Sequence, residues 1–169
     1  MMPREQDEFD QQMIDLARVT RVMAGGKRMR FRACVVIGDR KGRAGWAVAK
    51  AADVSQAIQK AVARAKKDIQ NVSIAGGTIP HEVRVKFKAA RLILKPAKKG
   101  RGLIAGGVVR TVLDLAGIKD IVSKMYGSNN KINNVAATFL ALSQLRRVEA
   151  PAAVTAAKDA GTTAAKKKE

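Results

Sequence analysis

From position 28 onward the chain alternates. Met29, Phe31, Ala33, Val35 and Ile37 fall on one side of an extended segment, and Arg28, Arg30, Arg32 and Cys34 fall on the other. Period two is what a half-buried strand requires. Gly38, Asp39, Arg40, Lys41 and Gly42 then predict a hairpin turn, and a second strand follows through residues 43–50. Its Gly45 and several alanines mark a place where another element packs close. Past Asp53 the period becomes helical. Ala57, Ile58, Ala61, Val62, Ala65 and Ile69 make one stripe, running to about residue 69, and Lys60, Arg64 and Lys67 make a second at i, i+4 and i+7. Asp53 or Ser55 suits the N-cap. Strand, strand and helix, with arginine on the outer sheet face and lysine on the outer helix face, predict one compact α+β unit.

Residues 71–80 carry Gly76, Gly77 and Pro80 and read as a boundary. A second unit opens on a long strand in which Val83, Val85 and Phe87 alternate with Arg84, Lys86 and Lys88, continued by residues 92–94. A basic glycine loop over residues 97–102 comes next. Gly106 and Gly107 open a helix that turns Val108, Val109, Val112, Leu113 and Ala116 inward and stops at Gly117. Residues 118–126 predict a short strand. Gly127, Ser128, Asn129 and Asn130 then lead into a helix with Ile132, Val135, Ala136, Phe139 and Leu142 at helical spacing. The expected division is an acidic segment over residues 1–15, a first unit over 16–72, a second over 73–147, and an Ala/Lys-rich tail over 148–169. The tail has almost nothing to bury, which predicts disorder.

Charge changes the picture more than composition does. The 169 residues include 33 Lys or Arg against 14 Asp or Glu, a formal net charge of +19. Residues 16–147 hold 28 of the basic residues and six of the acidic ones, so the excess belongs to the folded body and not to an arm. Such a surplus says nothing of fold but calls for a polyanionic partner. Aromatic residues are only 4% of the chain, so each core is expected to be small and built of Val, Ile and Leu. The one cysteine, Cys34, permits no intrachain disulfide and reads as a small buried apolar side chain. No apolar run approaches the roughly 20 residues that span a bilayer. The acidic start lacks a signal-peptide pattern, and the expected location is the cytoplasm.

Catalytic chemistry is hard to assemble from these residues. His81 is the only histidine, which removes His–His metal pairs, and with one cysteine zinc-ligand spacing is absent. The acids of the body are spread singly, against any paired-carboxylate site. Glu82 beside His81 suggests a general base, but neighbours on a strand point to opposite faces. Gly100-x-Gly102-x-x-x-Gly106, with Asp120 about 20 residues beyond Gly100, imitates a dinucleotide loop at the wrong spacing. Flanked by Lys98, Lys99 and Arg101, it fits a backbone-lined site for an RNA phosphate better. No cofactor, metal or catalytic residue is expected.

A longer series of motifs adds to this reading. Gly26-Lys27, Phe31-x-Ala33, Val36-Ile37-Gly38-Asp39, Gly42, Gly45, Ala47 and Asp53-Val54-x-x-Ala57 resemble the fifth small-subunit ribosomal protein of bacteria. In the second half Gly77-Thr78-Ile79-Pro80-His81-Glu82-Val83, Leu94-Lys95-Pro96, Ile104-Ala105-Gly106-Gly107-Val108 and Gly127-Ser128-Asn129-Asn130 resemble the same family. The resemblance implies a first domain of double-stranded-RNA-binding type and a βαβα second domain with a left-handed crossover. It implies a place in the small (30S) subunit on 16S rRNA, near the head–body junction and where mRNA enters. Contact with ribosomal proteins four and eight and a contribution to translational accuracy are implied with it. Residues 23–30 correspond to the loop where spectinomycin-resistance changes cluster, although the loop after Val22 is shorter than usual. Ala44 replaces a larger aliphatic, and Lys131 replaces the proline usual after Asn130, so that helix loses a preset start.

The expected rRNA-binding set is therefore Arg18, Arg21, Gly25, Gly26, Lys27, Arg28, Arg30, Arg32, Arg40, Lys41, Arg43, Lys50, Lys60, Arg64, Lys67, Lys98, Lys99, Arg101, Ser128, Asn129 and Asn130. Arg28, Arg30 and Arg32 make a row about 6.5 to 7 Å apart, near the spacing of successive phosphates. Ser128, Asn129 and Asn130 either offer donors to a phosphate or simply cap a helix. Scarce aromatics favour backbone and shape readout over base stacking. Two rivals stand beside this reading: a free RNA chaperone or accessory RNA-binding module, and a small nucleotide-binding enzyme built on residues 100–107.

Overall fold

The computed structural model describes residues 9–146. Its first sheet is antiparallel, in the order β1 (Asp10–Met23), β2 (Gly26–Gly38), β3 (Arg43–Ala51), β4 (Gln70–Asn71). The sequence pattern shows β2 and β3 but hides β1. A register shift between Met13 and Asp15 breaks the alternation that would mark it, and the cluster of acids there reads as solvated chain. The fold thus begins inside the segment set aside as an acidic leader. The tail over residues 148–169 lies outside the described residues.

Helix α1 (Val54–Ala65) packs on the β2–β3 face that presents Ala33, Val35, Ile37, Ala47 and Ala49. Ala57, Ala61 and Ala65 meet them with no exposed surface. This core is mostly alanine, not the expected Val, Ile and Leu, so helix and sheet sit very close. A Cβ on Gly45 would lie 2.7 Å from the Ala65 carbonyl oxygen, which is the close approach that the glycine signals. The helix ends at Ala65, earlier than its apolar stripe, because the next amides bond three residues back: Lys67 to Arg64 and Asp68 to Ala65. Ile69 packs against the same cluster from outside the helix.

The second sheet has the order β5 (Val83–Phe87), β6 (Ala90–Pro96), β8 (Ile121–Tyr126), β7 (Leu103–Ile104), with only β7 and β8 parallel. Where the alternation predicts one long strand, the chain folds back between Phe87 and Ala90. Lys88 takes φ +53° there, a conformation that non-glycine residues seldom adopt, so no turn residue marked it. Helix α2 (Gly107–Ala116) joins β7 to β8, and α3 (Lys131–Ser143) follows β8. Gly117 ends α2 at φ +89°, with Gly117 N–H donating to Asp114 and Ile118 N–H to Leu113. Residues 118–120 belong to this exit, so the strand starts at Ile121.

The larger core joins both sheets. Cys34, Val36 and Ala44 from the first lie in one buried cluster with Val109, Leu115 and Phe139 from the second, and the Trp46 and Phe139 rings stack with centroids 6.1 Å apart. The turn between β2 and β3 docks on the end of α2, with Arg40 N–H donating to Leu115 and Gly42 N–H to Ala116, both at 3.0 Å. The inner half of β2 is therefore covered on both faces, and the half-buried strand of the alternation holds only for its outer half.

Candidate nucleic-acid interface

Pairing of β2 with β3 ends at Phe31 and Ala51, whereas β1 and β2 stay paired to Met23 and Gly26. Their outer halves therefore project as a two-stranded arm, and every residue from 21 through 30 is exposed. Gly25 closes the tip at φ +82°. The expected loop over residues 23–30 is thus ordered ribbon in which Gly26 and Lys27 are strand residues. The arm sets Arg21 directly opposite Arg28 and Val19 opposite Arg30. Like charges directly opposite in a sheet repel unless an anion lies between them.

Arg32 leaves the expected arginine row. It is half-buried, 3.3 Å from Asp15, and Asp15 also lies 3.4 Å from Lys131 at the start of α3. Lys131 therefore helps tie the two halves together. Arg28 and Arg30 instead line a hollow that also touches β3 and α1, through Lys50, Gln56 and Lys60. Its neighbour is lined by Lys50, Lys60, Arg64 and Lys67 over Val48, Ala49 and Ala63. A third, on the arm, holds Arg21, Arg28, Arg30 and Lys50. Among the described residues no carboxylate lines any of the three. Arg21, Arg28, Arg30, Lys50, Lys60, Arg64 and Lys67 therefore form a continuous track from the arm onto α1, along the β3 edge that β4 leaves open beyond Ala44. Sequence periodicity separates these cations into two rows; Lys50, at the end of β3, joins them.

The turn cations sit elsewhere. Arg40 is 3.0 Å from Asp10, and Arg43 bonds Asp39 at 2.7 Å and covers the Phe9 ring. Burial acts to raise the Asp39 carboxyl, but bonds from the Arg43 side chain and the Lys41 and Arg43 amides outweigh it and hold the group below the usual range. Lys41 is exposed beside them. Arg40 and Arg43 thus tie the turn to the start of β1, away from the track. Arg18 stands on the ribbon face opposite Phe31, across from the arginine row.

In the second half, Lys98, Lys99 and Arg101 are exposed on the glycine loop. Asp120, buried, accepts a 2.7 Å bond from the Gly102 amide, so the acid that a dinucleotide ribose would require is tied to the loop itself. Asn130 caps α3: its Oδ1 accepts from the amides of Ile132 and Asn133, and Ser128 Oγ accepts from the Asn130 amide. The capping alternative is the one that the geometry realises for Ser128 and Asn130, leaving Asn129 exposed beside them. Glu82 pairs with Arg84 at 2.7 Å and Lys95 at 3.4 Å. Hydrogen bonding to Arg84 foremost holds its carboxyl below the usual range.

Among the described residues no group of three or more His, Cys, Asp or Glu side chains could hold a metal. No helix among them is long and apolar enough to cross a membrane. Comparison with protein families gives two matches in chain order. The N-terminal domain of ribosomal protein S5 matches residues 9–73, and the C-terminal domain of ribosomal protein S5 matches residues 85–156. The first match takes in the arm, the cation track and α1, and the second takes in the other sheet with α2 and α3. The chain belongs to the ribosomal protein S5 family.

Proposed function

We propose that this chain holds folded small-subunit rRNA by its phosphates, along the track that runs from the β1–β2 arm over Lys50 to α1. Family membership makes the chain a structural, non-enzymatic protein of the small ribosomal subunit, in the cytoplasm, with rRNA and other ribosomal proteins as neighbours. The reading adds the site and its chemistry. The single observation that carries it is seven cations lining three adjoining hollows, with Asp68 entering only the further hollow beside Arg64 and Lys67, and with two of the seven facing each other across the arm as Arg21 and Arg28. A polyanion relieves that repulsion, and arginine can bridge a phosphate with two bonds.

On this reading the first unit works as a double-stranded-RNA-binding-like module, and the second is the βαβα domain whose crossover through α2 is left-handed. The same reading sets the chain on 16S rRNA of the 30S subunit near the head–body junction and where mRNA enters, beside ribosomal proteins four and eight, with a part in decoding accuracy. Lys41, Lys98, Lys99, Arg101 and Asn129 are secondary contacts, and Arg32, Arg40 and Arg43 support the fold.

Filter binding of the full chain to a small-subunit rRNA transcript tests this over a range of salt. Seven phosphate contacts give a slope of log affinity against log salt of about −5 to −6. A slope near zero removes the mechanism. Sedimentation with small subunits through a high-salt gradient separates a resident protein from a free chaperone, which the first wash would strip.

A further inference from the structure

The second sheet has a face on which Arg84, Lys86, Arg91, Lys95, Lys124 and Tyr126 are exposed. Val83, Val85, Leu92, Leu94 and Ile121 point into the core with α2 and α3, so the alternate positions point the other way. Five of those positions are cationic, namely Arg84, Lys86, Arg91, Lys95 and Lys124, while Ile93, Val122 and Tyr126 are not. Lys86 lies directly opposite Arg91, and Arg91 opposite the exposed Tyr126. In the next row Arg84 lies opposite Ile93, and Ile93 opposite Lys124. Lys95 ends β6 on the same face, where the chain enters the loop of Lys98, Lys99 and Arg101.

Glu82 neutralises the Arg84–Lys95 corner. Among the described residues no carboxylate pairs with Lys86, Arg91 or Lys124. A directly opposed Lys–Arg pair costs sheet stability, and the pairing sets Lys86 about 5 Å from Arg91 and Arg91 about 7 to 8 Å from Lys124 on its diagonal. We propose that this face is a second RNA-backbone surface, independent of the arm-and-α1 track. The proposal rests on the reading of the chain as an RNA binder. A protein partner fits less well. Protein interfaces are depleted in lysine and in charge, whereas here Arg84, Arg91, Lys95 and Lys124 surround the half-buried Ile93 with charge of one sign. The lysine point charges and one arginine suit a phosphate backbone.

The test uses the full chain and a small-subunit rRNA transcript, with salt titration and hydroxyl-radical footprinting. One variant combines Lys86→Gln, Arg91→Gln and Lys124→Gln; the other combines Arg28→Gln, Arg30→Gln and Lys60→Gln. Each is expected to make the salt slope shallower by about 2 to 3, and each to erase a different set of protected nucleotides. If the sheet variant keeps both slope and footprint while the track variant loses them, the second surface is refuted and the proposed function stands. If the track variant keeps both while the sheet variant loses them, the second surface stands and the proposed track is refuted. A sheet variant that keeps RNA binding but loses a crosslink to a neighbouring subunit protein also overturns the proposal. Because the substitutions relieve repulsion, the sheet variant is expected to resist urea at least as well as the parent. Lys86→Gln alone, with a slope change of about 1, serves should the triple variant fail to fold.

Discussion

Replacing glycine by alanine at three positions separates backbone strain from the docking of the two halves. Gly25 has φ +82° with nothing within 4 Å of an added Cβ, so alanine there meets strain alone. Gly38 has no left-handed backbone, but its Cβ would meet the Leu115 backbone carbonyl, with the carbonyl carbon at 2.6 Å. Gly117 combines both: φ +89°, and a Cβ against the Arg40 carbonyl, with its carbon again at 2.5 Å. Left-handed backbone costs alanine about 1 to 2 kcal/mol. Backbone cannot step aside as a flexible side chain can. The two halves must part, which strains the bonds from Arg40 to Leu115 and from Gly42 to Ala116, at about 0.5 to 1.5 kcal/mol each. Overpacking adds about 1 to 3 kcal/mol. The expected losses are thus about 1 to 2 kcal/mol for Gly25→Ala, about 2 to 6 for Gly38→Ala, and at least about 3 for Gly117→Ala. Urea unfolding followed by Trp46 fluorescence measures all three, since that ring stacks on Phe139 across the joint. Equal losses for Gly25→Ala and Gly117→Ala would refute the argument that the halves dock through these glycines. Native stability is about 5 to 15 kcal/mol, so the larger losses lie within reach of the assay.

Burial, then the nearby Asp15 carboxylate, push the Cys34 thiol up to about 11 against Arg32, which pulls it down. The unfolded thiol ionises near its ordinary value while the folded one stays neutral. Stability from this group is full at lower pH and lost as pH climbs from about 9 to about 11, and Cys34→Ala should flatten that part of the urea-midpoint profile. At pH 8 a thiol reagent should modify Cys34 at the rate of chain opening; rapid modification without unfolding would contradict its burial. Asp120→Ala should cost about 1 to 3 kcal/mol by leaving the Gly102 amide without its partner, and Gly102 should lose hydrogen-exchange protection. Unchanged exchange there would show that the loop is held by something else.

Regular periods over uninterrupted segments were readable directly. Helix α1 and helix α3 follow from apolar residues at helical spacing, and the end of α2 follows from Gly117, because a left-handed cap suits glycine. Gly45 announced a close approach before any partner was known. What broke the period was lost: β1 carries a bulge between Met13 and Asp15, and the β5–β6 turn uses Lys88 where a glycine would have marked it.

The site divides along the same line. Net charge and its concentration in residues 16–147 pointed to a polyanion without any structure, since charge is a sum over residues. Which cations meet is a matter of register and packing. Arg28, Arg30 and Arg32 look equivalent along the chain, yet Arg32 alone lies where the second half covers the sheet and Asp15 reaches it. Lys50 and Lys60 are ten residues apart in sequence and line one hollow. Arg91 becomes the neighbour of Lys86 only once the hairpin closes. Sequence determines local conformation and total charge, both of them short-range or additive; the tertiary structure decides which charges are adjacent, because adjacency across strands and between the two halves depends on contacts far apart in the chain.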